Sequence, residues 1–349
     1  MDKNSEISEE QMKKNLLVLD NENYRQDEKK IKHFMKMRLQ GENSVVYTSY
    51  EDSTIRKVRN YKYIGSILQH ILYWKKSFDY AKKILKNNYT TIYCLNPIVG
   101  IFLGLKNRKS RIVLGGFLFE PKKNKVYYLI RKIITKKSLK GIDKVIVYSS
   151  NEVKYYKKIF QNTDFIFVKY GIDYYEKKAY NTKLPFKYIF SGGGSNRNYK
   201  FLIDVYNACN KQTLPLVIAT QRWRLKGNDL SNCIVIEDVV IENFWEVLSK
   251  SEMLVLSLND TEISAGHMVM FQAMKLKVPI VVNDIPAVRD YVDENNVIFY
   301  GSQDEEMLSD ILINYKSKLQ DLKNIVDNSY EMYCNELTFF SFIKRVLEV

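Results

Sequence analysis

The feature that most constrains this chain is a succession of short, unbroken apolar runs separated by helical stretches. In the second half the runs are Tyr188–Phe190, Leu216–Ala219, Cys233–Ile236, Met253–Leu256, Ile280–Val282 and Val297–Phe299. Between them lie stretches of helical character at Tyr199–Lys211, Ile241–Lys250, Gly266–Lys275, Pro286–Val292 and Glu305–Asn324. Apolar runs that do not alternate with polar residues suit strands covered on both faces. A helix between successive strands requires a crossover connection, so the sheet is expected to be parallel. The first half repeats the pattern. Leu16–Asp20, Val45–Ser49, Thr91–Cys94, Arg111–Leu114, Lys144–Val147 and Phe165–Lys169 read as strands, and Glu28–Arg38 and Tyr61–Lys86 as helices. The longest mostly apolar segment, Ile92–Leu105, is interrupted by Asn96 and Pro97. It therefore reads as strand, turn and helix, and is too short to be a membrane span.

A chain of 349 residues exceeds one ordinary core, which predicts two domains. The polar segment Tyr174–Pro185 is the expected boundary, giving Rossmann-like α/β domains over 1–174 and 185–335 that face each other across a cleft. The first fifteen residues carry no apolar core of a signal peptide. Cys94, Cys209, Cys233 and Cys334 form no C-x-x-C pair, which excludes a zinc ribbon and suits free thiols in a reducing cytosol. The expected location is therefore cytoplasmic.

Open α/β sheets bind ligands beyond the carboxyl ends of their strands, and two constellations stand at such places. The first runs from Ser191 to Lys200. Gly192, Gly193 and Gly194 allow close backbone approach, while Arg197 and Lys200 offer counter-charge to an anion. It lacks the Gly-Lys-Ser/Thr of a Walker loop and the G-x-G-x-x-G spacing, and a plain strand-to-helix turn with a solvated arginine is the alternative. The second runs from Thr261 to Met274. A helix opens at Gly266, so the N–H groups of Gly266, His267 and Met268 are available to a pyrophosphate, and Gln272 follows on the same helix. His267 is read as a packed residue or backbone donor rather than a base. Trp223, flanked by Arg222 and Arg224, is either a stacking platform or a loop anchor.

Charge is unevenly spread. The net charge is +14, and segment 106–144 holds thirteen Lys and Arg against Glu120 and Asp143. Such a cluster implies an anionic partner. No helix-turn-helix or aromatic RNA-binding signature accompanies it, so no nucleic-acid partner is expected. From Lys125 to Lys140, Val126, Leu129, Ile130, Ile133 and Ile134 share one helical side, and Lys125, Lys132, Lys136 and Lys140 an adjacent one. A basic amphipathic helix lies on an anionic bilayer, or it covers the sheet with its apolar side and leaves its lysines solvated.

The run Ser264-Ala265-Gly266-His267-Met268-Val269-Met270-Phe271-Gln272-Ala273-Met274, continuing through Pro279 to Ile280-Val281-Val282, resembles the donor half of GT-B nucleotide-sugar glycosyltransferases of the family 4 type. The resemblance spans about 185–300. Over 1–172 it is architectural, with Asp143–Glu152 and Val168–Asp173 similar to segments that close the first domain. It implies a GT-B fold, an N-terminal acceptor domain, a C-terminal donor domain and a last helix, 336–349, that returns to pack on the first domain. It also implies transfer of a hexose-type sugar from a nucleoside diphosphate sugar to a glycan acceptor, retention of configuration and no obligatory metal. The absence of any Asp-x-Asp agrees with metal independence.

The same resemblance assigns Gly193, Gly194, Arg197 and Lys200, with the amides of Gly266, His267 and Met268, to the diphosphate, and Gln272 to the ribose. The chain departs from it at the E-x7-E carboxylates, which fall on Ser264 and Gln272. Glu262 is the nearest stand-in for the first. Gly115-Gly116-Phe117 occupies the place of the family's usual histidine, which makes Glu120 the nearest ionisable candidate for acceptor contact or base. The catalytic candidates are thus Glu120, Glu262 and Ser264. The expected function is a peripheral enzyme on the inner face of the cell membrane, acting on a lipid-linked acceptor in bacterial surface polysaccharide synthesis. Loss of both carboxylates equally fits a non-catalytic accessory subunit or a glycan- or nucleotide-binding partner of an active transferase.

Overall fold

A computed structural model describes residues 13–20, 22–48, 65–107, 109–121, 124–173, 184–209, 213–237, 244–315, 317 and 322–349. The start of the expected helix at 61–64, most of the boundary segment, and Arg108, Lys122 and Lys123 of the basic cluster lie outside them. The chain divides into two compact units. Unit 1 comprises 1–148, 153–168 and 343–349; unit 2 comprises 149–152 and 169–342. The division therefore places 169–173 and the Ser149–Glu152 turn with the second unit, and the last seven residues with the first.

Unit 1 holds six strands: β1 (Lys14–Leu19), β2 (Glu42–Tyr47), β3 (Thr91–Cys94), β4 (Arg111–Leu114), β5 (Lys144–Val147) and β6 (Phe165–Phe167). All pair in parallel, in the order β2-β1-β3-β4-β5-β6. The connecting helices are α1 (Glu28–Arg38), α2 (Gly65–Leu85), α3 (Pro97–Lys106), α4 (Lys125–Leu139) and α5 (Ser150–Ile159). The apolar segment at Ile92–Leu105 splits as its sequence predicts. Asn96 caps α3, accepting from the Ile98 and Val99 amides, and Pro97 takes the first helical position, where its missing N–H costs nothing.

The central strands are fully buried, as in Leu16, Val18, Ile92, Ile112, Val113 and Val145. An aromatic group completes this core, with Phe117, Phe119, Tyr156, Phe160 and Phe165 packed edge to face or tilted at 5.0–6.4 Å. The Tyr156 hydroxyl accepts from the Phe119 amide and fixes the loop after β4.

Helix α4 docks through small residues. A Cβ at Gly104 of α3 would stand 2.4 Å from the Ser138 carbonyl, and one at Gly141 would stand 2.2 Å from the Gly104 carbonyl. Backbones approach there, and the Ser138 hydroxyl donates to the Ile101 carbonyl. The buried residues of α4 are consequently Thr135, Ser138 and Leu139 at its C-terminal end. Its apolar side does not cover the sheet: Val126, Leu129, Ile130 and Ile133 are all about half exposed or more.

Unit 2 holds β7 (Ile189–Gly192), β8 (Leu216–Ala219), β9 (Cys233–Ile236), β10 (Met253–Leu256), β11 (Ile280–Asn283) and β12 (Ile298–Tyr300), also wholly parallel, in the order β12-β11-β10-β7-β8-β9. The order reverses between β7 and β10, the topological switch point of a dinucleotide-type sheet. Its helices are α6 (Tyr199–Ala208), α7 (Phe244–Ser249), α8 (His267–Lys275), α9 (Pro286–Arg289), α10 (Glu305–Ile313), α11 (Leu322–Glu336) and α12 (Phe339–Leu347), the last of which ends in unit 1. The single helix expected over Glu305–Asn324 is interrupted: α10 stops at Ile313, where the Asn314 amide closes on the Asp310 carbonyl and its side chain on the Asp310 carboxylate, positions 316 and 318–321 lie outside the described residues, and 322–324 open α11.

Candidate functional site

The switch point of unit 2 is built by two loops that are stitched together. After β7 the chain turns at Gly193, whose φ of +104° is a left-handed conformation that favours glycine. The Gly193 carbonyl accepts from the Tyr199 hydroxyl at 2.7 Å and the Thr220 hydroxyl at 2.9 Å. The loop after β10 runs antiparallel to this one. Asn198 donates to the Ser257 carbonyl, Asn259 to the Asn196 carbonyl, and Arg197 forms a bridge with Leu258. Asn198 then caps α6, accepting from the Phe201 amide.

Arg197 lies across this turn. Its Nε donates to the Gly192 carbonyl at 2.9 Å and its Nη1 to the Ser195 carbonyl at 2.8 Å. A Cβ on Gly193 would meet the guanidinium at 2.5 Å, so the close approach itself requires glycine. Arg224 does the same one residue on: it donates to the Gly194 carbonyl and stacks at 4.3 Å on Trp223. Neither arginine has a carboxylate partner among the described residues. Burial, with Arg224 adding to it and Tyr199 opposing, holds Arg197 below the ordinary arginine range. Two guanidinium groups bound only to backbone carbonyls leave positive charge to be met by an anion.

Helix α8 contributes the second half of the site. Gly266 caps it in a left-handed conformation, φ +87°, and a Cβ there would lie 3.0 Å from Leu258 and 3.7 Å from the Arg197 Nη1. The helix start and Arg197 are thus neighbours. The backbone N–H groups of Gly266 and His267 have no protein acceptor among the described residues, which makes this N-terminus a site for negative charge. The His267 ring faces inward. Its Nε2 is 2.9 Å from the Ala287 carbonyl, and the ring packs 4.2 Å from Tyr291 and 5.9 Å from Phe271. Burial pushes its pKa down to about 4, which fits a packed neutral imidazole and not a base. Gln272, about one and a half turns further along α8, is 8% exposed, and its amide has no protein partner among the described residues.

The remaining sequence candidates are placed differently. Lys200 pairs with Asp204 at 2.6 Å on an exposed helix face, and Arg224 is a second guanidinium beside Arg197 on the glycine turn. Met268 and Glu262 are exposed at the mouth of α8. Glu120 belongs to unit 1, in the loop after β4, where its carbonyl accepts from Arg131.

Ser264 is engaged by a residue that sequence reasoning did not select. Glu152 is 2% exposed and completes a capping box with Ser149: its Oε2 accepts from the Ser149 amide, and its own amide donates to the Ser149 hydroxyl, each at 3.2 Å. Its Oε1 accepts from both the Ser264 amide, at 3.0 Å, and the Ser264 hydroxyl, at 2.9 Å. The Ser-x-x-Glu spacing signals the cap, but nothing in it signals the partner 112 residues away. A carboxylate is therefore bound to position 264 although the chain carries none at that position.

Among the described residues no three His, Cys, Asp or Glu side chains converge as a metal site. No described helix is long and apolar enough to cross a membrane.

No protein-family model and no curated protein matches the sequence. Solved structures do match the fold. A sucrose-phosphate synthase from Thermosynechococcus elongatus superposes with a TM-score of 0.62 at 10% identity, over 95% of this chain and 96% of that one. HepE of Anabaena in complex with UDP-glucose gives 0.59 at 11%, over 96% and 98%. The lipopolysaccharide outer core galactosyltransferase WaaB gives 0.56 at 12%, over 96% and 98%. With two Rossmann-like units, each built on a six-stranded parallel sheet, the chain has the GT-B fold of these glycosyltransferases.

Proposed function

We propose that the chain is a glycosyltransferase that moves a sugar from a nucleoside diphosphate sugar to a glycan acceptor carried on a lipid, in bacterial surface polysaccharide synthesis. The observation that carries the reading is the meeting of Arg197, Arg224 and the open amides of Gly266 and His267 at the switch point of unit 2. There the leaving diphosphate gains two guanidinium groups and a helix terminus. Charge that develops as the glycosidic bond breaks is met by fixed donors, with no obligatory metal. Gln272 offers its unpartnered amide to the ribose. The fold shared with HepE, solved with UDP-glucose, and with the lipopolysaccharide outer core galactosyltransferase WaaB supports both the donor class and the pathway.

The acceptor side falls to unit 1. The half-exposed apolar side of α4, with its lysines, supports docking on an anionic bilayer at the inner face of the membrane. The decisive experiment is a thermal-shift screen with UDP-, GDP- and dTDP-sugars followed by a transfer assay. Binding raises the melting temperature as ln(1 + [L]/Kd), and Arg197→Ala is expected to abolish the shift.

One observation favours a second reading, that of a nucleotide-binding accessory subunit: positions 264 and 272 carry no carboxylate, and the Glu152 carboxylate is engaged by the Ser149 amide and by the Ser264 amide and hydroxyl. A thermal shift with no turnover of any donor is its expected signature.

A further inference from the structure

Unit 1 contains an apolar cavity of about 140 Å³ at the carboxyl ends of β3 and β4. Trp74 of α2, Ile98 and Ile101 of α3, Phe117 and Phe119 after β4, and Ile134 of α4 form its walls. The volume is close to that of an engineered cavity of about 150 Å³ that stays dry and takes up benzene, so a chain of roughly six carbons fits. Carboxyl ends of parallel strands are where α/β sheets take ligands.

Two features give the cavity a direction. Leu118 lines it and is 49% exposed, as are the neighbouring Ile130 and Ile133 of α4 at 53% and 48%, so apolar surface lies both in the wall and on the outside of the same helix. The one charged wall residue is Arg131. It donates to the Leu118 and Glu120 carbonyls, lies 4.6 Å over the Phe119 ring, and has no carboxylate partner among the described residues. An apolar pocket of six-carbon size whose wall holds a guanidinium without a carboxylate partner fits an alkyl chain ending in an anion, and of the two anions a guanidinium forks onto, phosphate is the one a lipid-linked acceptor carries.

We infer that this cavity, with Arg131, seats the alkyl-phosphate segment of the acceptor, so that the lipid end of the acceptor is recognised inside unit 1 as well as at the bilayer surface. That the amphiphile is the acceptor, and its anion a phosphate, rests on the transferase reading; that the site takes an alkyl chain ending in an anion does not.

The test is titration of the full chain with butyl, hexyl, octyl and decyl phosphate below their micelle concentrations, read by isothermal titration calorimetry. Affinity is expected to rise about fourfold per added methylene and to level off once the cavity is full. Ile101→Trp, which fills the cavity, is expected to flatten the chain-length dependence. Arg131→Gln is expected to weaken every member of the series about tenfold and leave its slope intact, so the result does not hang on one variant folding.

No chain-length dependence, or dependence that survives Ile101→Trp, overturns the inference. Binding to phosphatidylglycerol vesicles is expected to be unchanged in Ile101→Trp; a parallel loss would assign the cavity to membrane phospholipid and overturn the acceptor assignment. Nucleotide-sugar binding measured on the same samples separates the two readings. Alkyl-phosphate binding without any nucleotide-sugar response defeats the transferase reading alone, and the reverse defeats this inference alone.

Discussion

His267 is the residue at which structure and solution behaviour are most directly linked. Its ring is enclosed by Tyr291, Phe271 and the Ala287 carbonyl, and burial holds its pKa at about 4 against an ordinary 6.5. The hydrogen bond to the Ala287 carbonyl and the charge of Asp290 oppose burial, while Arg197 adds to it. The neutral ring in the folded protein thus competes with a charged one in the unfolded chain. Between pH 6.5 and 4 the unfolded chain binds the extra proton, so stability falls as pH falls through this window, by about 3 kcal/mol in all. Urea unfolding across pH 4–7 is expected to show that loss, and His267→Phe, which keeps the ring packing, is expected to remove it. Glu152 is the complementary case. It is a buried carboxylate satisfied by Ser149 and Ser264, and its removal leaves donors in both segments without an acceptor. Glu152→Ala is expected to lower stability by roughly 2–4 kcal/mol, and Ser264→Ala, which deletes one hydroxyl donor, by about 1 kcal/mol, by the same measurement.

At the scale of the element, helix α4 shows why a periodic sequence does not by itself say what a helix touches. The grouping of Val126, Leu129, Ile130 and Ile133 on one side is written in the spacing, but the residues that dock α4 are Thr135, Ser138 and Leu139, chosen by the close approach of Gly104 and Gly141. The apolar side is left outward, and with Lys125, Lys132 and Lys136 it forms the surface expected to meet a bilayer. Replacing those three lysines by Gln is expected to weaken binding to phosphatidylglycerol vesicles about a hundredfold at low salt, at about 1 kcal/mol per lysine. Leu129→Ser with Ile133→Ser is expected to weaken it also at high salt, where the charge contribution is screened. Sedimentation with vesicles at two ionic strengths distinguishes the two effects.

What was legible elsewhere follows the same division. Asn96 and Pro97 announce the start of α3 because a cap is local chemistry, and the Gly193 and Gly266 turns are readable for the same reason. Arg224, which reaches the Gly194 carbonyl, and Glu152, which reaches Ser264, depend on contacts 30 and 112 residues long and leave no mark in spacing. The parallel strand order, including the reversal between β7 and β10, comes only from the pairing itself.

At the scale of the whole molecule, the two units are not consecutive pieces of chain. Unit 1 takes back residues 343–349 after unit 2 has been completed. Ile343 and Val346 are fully buried, Leu347 is 4% exposed, and the Arg111 Nη2 donates to the Val349 carbonyl at 2.8 Å, tying the last residue to the first residue of β4. Burying three such side chains stabilises by about 4–8 kcal/mol as an upper estimate, since a realistic unfolded chain already hides part of that surface. An amount of this size is comparable to the whole stability of a domain. Ending the chain at Phe342 is therefore expected to destabilise unit 1 selectively, although its other residues are all retained. In calorimetry the truncated chain should show the unit 1 transition, followed by Trp74 fluorescence, moved to lower temperature. The response to nucleotide sugars, which depends on unit 2, should persist. A truncation that leaves the Trp74 transition where it was would mean that the returning segment adds nothing to the first core.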